Sequence, residues 1–242
     1  MTVHVINLDR DTGRLETFLT MNAHVPDIVR IRGVEGKSVD RKSLQMLGVI
    51  SEDLTYTDGP LGCALSHIRL WRRVLNEKRV FTIVEDDAIL ARNFQPAHDR
   101  MLAKLPKDWD IMLWGWNFDQ NLWTEIPEGV APSILRFDQD ALRKNIEIFR
   151  SSDVRSSAFR LHHAFGTMGY SLSPTGARAL LEICLPLAKV DIYFDNKGLG
   201  FRNNGIDCMM NAAYRRIKAY VCIPPLVVSE NRHEVSRTVA ED

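Results

Sequence analysis

Cysteine is sparse in this chain of 242 residues: Cys63, Cys184, Cys208 and Cys222 stand far apart, and no two form a CxxC pair. That spacing excludes a zinc knuckle or a dithiol redox motif and predicts reduced, structural thiols, as in a cytosolic protein. Long apolar runs are missing as well. None approaches the roughly 20 residues that a membrane-spanning helix needs. Met1 to Arg10 lacks the basic leader, apolar core and small-residue cleavage site of a secretory signal. The chain is therefore expected to be soluble and cytoplasmic, with peripheral attachment to the inner face of the cytoplasmic membrane left open. Net charge is absent too: 31 basic residues balance 31 acidic ones, which removes support for broad nucleic-acid binding. Repeats, low-complexity tracts and linkers are also lacking, so one domain spanning residues 1–242 is predicted.

What is present is ordinary globular composition, 45% hydrophobic and 26% charged, in a chain long enough to bury a core without disulfides. Val3 to Leu8, Ile28 to Ile31, Val80 to Val84, Asp110 to Trp114, Gly169 to Leu172 and Ala219 to Ile223 read as strands. Helices are predicted over Leu15–Met21, over Arg41–Leu47 with Asp40 as N-cap and Gly48 as stop, and over Cys63–Asn76. Two more are predicted over Thr175–Cys184 behind a Ser173-Pro174 start, and over Ile206–Tyr214. Ser51 to Gly62 is polar and turn-rich, hence a loop. Trp116 to Phe159 has no clean period and reads as a variable insertion. Strands alternating with helices predict an α/β fold with a mixed, mostly parallel central sheet and helices on both faces.

The most informative stretch is Thr82-Ile83-Val84-Glu85-Asp86-Asp87. Three consecutive carboxylates at the end of an apolar strand repel one another unless something offsets the charge, and a divalent cation does so. Hard oxygen ligands suit Mg²⁺ or Mn²⁺, and strand ends are where open α/β sheets bind ligands. If the strand geometry continues, Glu85 and Asp87 point one way and Asp86 the other. The plainer alternative is a solvated acidic turn.

Three further segments carry a pattern in the same order. They are Ile6-Asn7-Leu8-Asp9-Arg10 followed by Arg14; Gly62-Cys63-Ala64-Leu65-Ser66-His67 with Trp71; and Gly169-Tyr170-Ser171-Leu172-Ser173 with Gly176-Ala177. Together with Glu85-Asp86-Asp87 they resemble glycosyltransferase family 25, the lipooligosaccharide-biosynthesis transferases related to collagen galactosyltransferases. The resemblance runs from about residue 3 to about residue 236 and is weakest across Trp116 to Phe159. It implies a GT-A-like nucleotide-sugar-binding fold, a UDP-sugar donor (most often UDP-galactose), a Mn²⁺ or Mg²⁺ ion, inversion at the anomeric carbon and an oligosaccharide or glycolipid acceptor.

On that resemblance each segment has an expected role beside a plainer one. Asn7 and Asp9 would meet uracil or ribose, and Arg10 or Arg14 the diphosphate, against a strand end whose Asp9 caps a helix. Ser66 and His67, in the first turns of a helix starting near Gly62, would approach the donor, against a packed histidine. Glu85 and Asp87 are the expected metal ligands, with Asp86 on sugar or ribose. His233 is expected to complete the metal shell, with Asp207 as alternative. Asp207 is also the expected catalytic base, ahead of Asp191 and Asp195, against a helix-start acid. Tyr170 and Gly166 to Gly169 would lie near the donor sugar. Trp114 is expected in the core, and Trp116 and Trp123 on the acceptor. Two competing readings stand beside this one. They are a metal-dependent nucleotidyltransferase or nucleotide-sugar phosphohydrolase, and a non-catalytic nucleotide- or glycan-binding module.

Overall fold

β-branched residues at alternate positions drive the first strand, β1 (Val3–Asn7), whose Val3 and Val5 are fully buried. The computed structural model describes residues 1–193 and 200–232. After β1 come α1 (Thr12–Met21), β2 (Ile28–Arg32), a 3₁₀ turn (Gly36–Ser38), α2 (Arg41–Met46) and the long α3 (Asp58–Glu77). Next are β3 (Phe81–Glu85), β4 (Ala88–Leu90), α4 (Phe94–Leu102), β5 (Ile111–Leu113), β6 (Leu122–Glu125) and β7 (Ser133–Leu135). Then α5 (Gln139–Lys144), α6 (Ile146–Ser151), β8 (Ser157–His163), β9 (Gly169–Leu172) and α7 (Pro174–Cys184) lead to the C-terminal part. That part holds β10 (Asp191–Tyr193), β11 (Gly200–Arg202), α8 (Ile206–Tyr214), β12 (Ala219–Ile223) and β13 (Val227–Ser229).

Among the described residues, nine strands form one sheet in the order β2-β1-β3-β9-β5-β12-β8-β6-β7. The sheet is mixed, as expected, but its parallel share is smaller than the strand–helix alternation suggests. Parallel ladders join β1 to β2, β1 to β3 and β5 to β12. β9 runs antiparallel between β3 and β5, and β8, β6 and β7 continue antiparallel to the edge. The period-2 alternation splits each central strand between two cores. Phe81 and Ile83 of β3, and Ile111 and Leu113 of β5, pack with Trp71 of α3, Leu180 of α7 and Met210 of α8. Val84 and Met112 point the other way, toward Phe18 of α1 and Phe94 of α4. Helices therefore cover both faces, as the sequence predicts.

Several expectations change. Helix α3 starts at Asp58, not near Gly62, because Asp58-Gly59-Pro60 forms its first turn rather than a loop. A proline there loses no helical hydrogen bond, since first-turn N–H groups have no intrahelical acceptor. Its early start is accommodated at Gly36, where a Cβ would lie 1.8 Å from the Asp58 carbonyl oxygen. Residues 116–159, read as an insertion, contribute β6 and β7 to the main sheet. Trp116 is buried there against Phe118 and Phe137, with ring centroids 5.5 and 5.2 Å away, so the expected acceptor contact gives way to core packing. Trp114 is core, as expected, and its indole N–H donates to Ser171.

Strand β4, which the sequence pattern does not reveal, fixes the acidic turn that precedes it. It pairs antiparallel with β13, Ala88 opposite Ser229. The fully buried Asn22, just past α1, ties this ribbon down. Its amide donates to the carbonyls of Phe18 and Ala88, both at 2.9 Å, and its oxygen accepts the Leu90 N–H at 2.8 Å. Asn22→Ala would strand a buried N–H and a carbonyl, and each such loss costs about 1–3 kcal/mol. Chemical denaturation is expected to show a loss of about 2–4 kcal/mol; a loss below about 0.5 kcal/mol would contradict this role of Asn22.

Candidate active site

β3 lies beside β1 with Glu85 opposite Ile6, so the strand ends of both open onto the same edge of the sheet. Glu85 is the last residue of β3, and Asp86-Asp87 make the turn into β4. The alternation expected across all three carboxylates therefore stops at Glu85, and separate partners aim each group. Glu85 Oε1 accepts from the Thr167 hydroxyl and faces His67 Nε2 at 3.3 Å. Asp86 Oδ1 takes Nε of Arg14 at 2.8 Å together with a second guanidinium nitrogen, and its Oδ2 accepts from Asn7 Nδ2 at 2.7 Å. Asp87 Oδ2 accepts from the Ser229 hydroxyl at 3.0 Å.

These residues sit where two lobes of a cleft meet. The larger lobe, about 1040 Å³, is lined by Asn7, Arg10, Arg14, the Gly33–Lys37 turn and the start of α3. The smaller, about 660 Å³, is lined by Asn117, Gly166, Thr167, Asn204 and Asp207. Cys63, Glu85, Asp87 and Ser229 belong to both. Gly166 has φ +95°, a left-handed backbone that favours glycine, and a Cβ there would lie 2.4 Å from Asn117 Oδ1. That conformation lets its N–H reach Asp207 Oδ2 at 3.0 Å, while the Cys208 N–H meets Oδ1 at 2.9 Å.

Charge is distributed unevenly over the three acids that face the cleft. Burial pushes Glu85 up, but hydrogen bonds from His67 and Thr167 and the charge of Arg14 hold it below its ordinary value. Enclosure within the cleft, then the negative charge of Glu85, push Asp87 up to about 6, although its side chain keeps contact with solvent. Asp207 is raised by burial and by Glu85, against the two N–H groups that favour its ionised form. Cys63, His67 and Glu85 bring three donor atoms within 4.8 Å of one another. The thiol is pushed well above its ordinary value by burial and by Glu85 and Asp207, so it stays protonated at neutral pH.

The structure brings most of the expected residues together and removes others. Asn7, Arg10, Arg14, Ser66, His67, Glu85, Asp86 and Asp87 line the larger lobe, and Asp207 the smaller. Asp9 lines neither lobe: it is exposed and paired with Arg30 and Arg32. Ser66 and His67 lie in the third turn of α3, beyond reach of the helix-start N–H groups. Ser66 Oγ instead donates to the Gly62 carbonyl and accepts the Val34 N–H. Tyr170 is 1% exposed and bonded to His67 and Trp71, so it lies behind the cleft rather than on the donor. Asp191 lines neither lobe and pairs with Arg202, whereas His233 and Asp195 lie outside the described residues. Sequence reasoning missed Ser229, whose hydroxyl carries no spacing signal, and placed Thr167 near the donor sugar without its bond to Glu85. It also missed the Gly33–Lys37 turn, whose two glycines were the available clue.

The mixed α/β sheet thus carries an acidic strand end at the meeting point of the two lobes of the cleft. The family model described as glycosyltransferase family 25 (LPS biosynthesis protein) matches residues 1–196, and the chain belongs to that family. Procollagen galactosyltransferase 2 of Mus musculus is 22% identical over 192 residues, covering 74% of this chain and 27% of that protein. Procollagen galactosyltransferase 1-B of Xenopus laevis is 26% identical over 203 residues, covering 78% and 29%. The match thus spans less than a third of the length of these relatives. The crystal structure of A197 from STIV aligns over 95% of this chain and 87% of that one, at 10% identity and a TM-score of 0.38, a likeness too low to carry an argument. Among the described residues, no helix is long and apolar enough to cross a membrane.

The raised Asp87 has a consequence for stability. Its folded state binds a proton more tightly than the unfolded chain, so its contribution is full below about pH 4 and lost as pH rises through about 6. With solvent screening allowed for, Asp87→Asn is expected to raise the Tm of the metal-free protein at pH 7.5 by about 2–4 °C, or ~1 kcal/mol, with no gain at pH 4. A lower Tm at pH 7.5, or the same gain at both pH values, would contradict the charge conflict between Asp87 and Glu85.

Proposed function

We propose that this family 25 glycosyltransferase is an inverting, metal-dependent hexosyltransferase that moves galactose from UDP-galactose to a saccharide acceptor of bacterial lipooligosaccharide or lipopolysaccharide. The observation that carries the proposal is the sharing of Glu85 and Asp87 by both lobes. An activated sugar and an acceptor, one in each lobe, would meet at those two carboxylates. The larger lobe suits the nucleotide. Arg10 and Lys37 line it, and Asn7 and Arg14 hold its acidic edge in place. The word galactosyltransferase in the names of the relatives supports galactose, and the family description supports a lipopolysaccharide acceptor. An acceptor carried on a lipid would place the enzyme at the inner face of the cytoplasmic membrane.

The donor set fits a divalent cation of the Mn²⁺ or Mg²⁺ kind. Glu85 Oε2 makes no hydrogen bond among the described residues, and Asp87 is raised by enclosure and then by the Glu85 charge, which a cation would offset. Glu85 and Asp87 are the residues that would hold it, and it would supply neutralisation of the negative charge arriving on the diphosphate. Asp86 is assigned elsewhere, because Arg14 and Asn7 already occupy its oxygens. His233 stays a proposed further ligand.

Asp207 is the proposed base. Its carboxylate lines the smaller lobe, oriented by the N–H groups of Gly166 and Cys208, and its raised proton affinity suits a group that must accept a proton. The acceptor hydroxyl oxygen bonds to the anomeric carbon as its proton passes to Asp207. The bond from that carbon to the diphosphate oxygen breaks on the opposite side, and UDP departs with the electron pair.

Acceptor-dependent UDP release from UDP-galactose with Mn²⁺ tests the proposal. Asp87→Ala is expected to abolish metal-dependent turnover in a folded protein. Asp207→Asn is expected to keep UDP affinity while transfer falls by about 10²–10⁴-fold. Sugar phosphate and UMP as products, or full activity in Asp87→Ala, would overturn it.

A further inference from the structure

Behind Glu85, from the wall of the larger lobe inward, lies a line of buried polar groups. Trp71, His67 and Tyr170 are each 0–1% exposed, yet their polar atoms meet one another. His67 and Trp71 stand four residues apart on one face of α3. Tyr170 sits on β9, directly opposite Ile83 of β3, two residues before Glu85. Helix, strand and acidic strand end are thus joined through side chains alone.

The protons along this line can be assigned by counting donors. The indole N–H of Trp71 only donates, and it points at the Tyr170 hydroxyl oxygen at 2.9 Å. The hydroxyl therefore has one proton of its own to place. Its other partner is His67 Nδ1 at 2.8 Å, which must accept it. An imidazole that accepts at Nδ1 carries its proton at Nε2, and Nε2 faces Glu85 Oε1 at 3.3 Å. The Thr167 hydroxyl donates to the same oxygen. The opposite tautomer would leave a buried tyrosine hydroxyl without an acceptor and set a nitrogen lone pair against a carboxylate oxygen. A doubly protonated ring would orphan the same hydroxyl.

We propose that Trp71, Tyr170 and His67 form a proton-ordered chain that, with Thr167, pins Oε1 of Glu85 and presents Oε2 to the junction of the two lobes. Tyr170 and His67 are then positioning residues that act through the Glu85 carboxylate. In this proton order the His67 nitrogen nearest Glu85 holds a proton, so it offers no lone pair to a cation beside Cys63 and Glu85. The effect on cation binding rests on the function proposed above, whereas the proton order does not.

Two measurements separate these parts. In metal-free protein labelled with ¹⁵N-histidine, long-range ¹H–¹⁵N spectra at pH 7.5 are expected to show His67 protonated at Nε2 and bare at Nδ1. An Nδ1–H tautomer or an imidazolium would overturn the proposal without touching the glycosyltransferase reading. Calorimetry with Mn²⁺ in the presence of UDP then compares folded variants. Tyr170→Phe and His67→Leu are expected to weaken Mn²⁺ binding about 10–100-fold, whereas His67→Gln, which returns an N–H toward Oε1, recovers most of that loss. Unchanged Mn²⁺ affinity in Tyr170→Phe would overturn the positioning role. Wild-type protein that binds UDP but no Mn²⁺ would instead overturn the cation assignment and leave the tautomer result standing. Should Tyr170→Phe fail to fold, the native-protein spectrum and the His67→Leu and His67→Gln pair still decide.

Discussion

Mutual repulsion among three adjacent carboxylates is the constraint around which this molecule is organised. Unpaired, Glu85, Asp86 and Asp87 would repel one another at the end of β3. The fold resolves the conflict by giving each a different partner. Arg14 and Asn7 take Asp86, His67 and Thr167 take one oxygen of Glu85, and Asp87 has, among the described residues, a serine hydroxyl. The conflict is thereby left to Asp87, whose proton affinity is raised by its enclosure and then by Glu85.

Sheet topology delivers those partners from distant parts of the chain. Parallel pairing of β1 with β3 puts Asn7 and the start of α1 beside Asp86. Antiparallel β9 brings the loop carrying Gly166 and Thr167 to Glu85, and the β4–β13 ribbon brings Ser229 to Asp87. Asp207 comes from α8, beyond the stretch that matches the family model, and is tied to the same loop by the Gly166 N–H. Each contact depends on a long-range pairing, so the site is a property of the whole sheet.

Much of this was legible in the sequence. Hydrophobic alternation located the central strands, and Ser173-Pro174 and Asp40 located helix starts, because caps and alternation are local effects. The acidic run announced the site by its position after an apolar strand. Local pattern could not tell that Asp9 would be drawn off by Arg30 and Arg32, since those partners arrive through β2. Nor could it tell that Tyr170 faces inward, because a strand alternates without revealing which side is the cleft. Ser66 and His67 were misplaced for a simpler reason. Asp58-Gly59-Pro60 has the composition of a turn, and only the packing of Gly36 against Asp58 shows it to be the first turn of a helix.

Anomalous diffraction from a crystal soaked with UDP and MnCl₂ tests the central claim most directly. A manganese peak between the carboxylates of Glu85 and Asp87, with the diphosphate beside it in the larger lobe, is the predicted result. UDP bound with manganese elsewhere, or a peak held by Asp86 in place of Arg14, would contradict it.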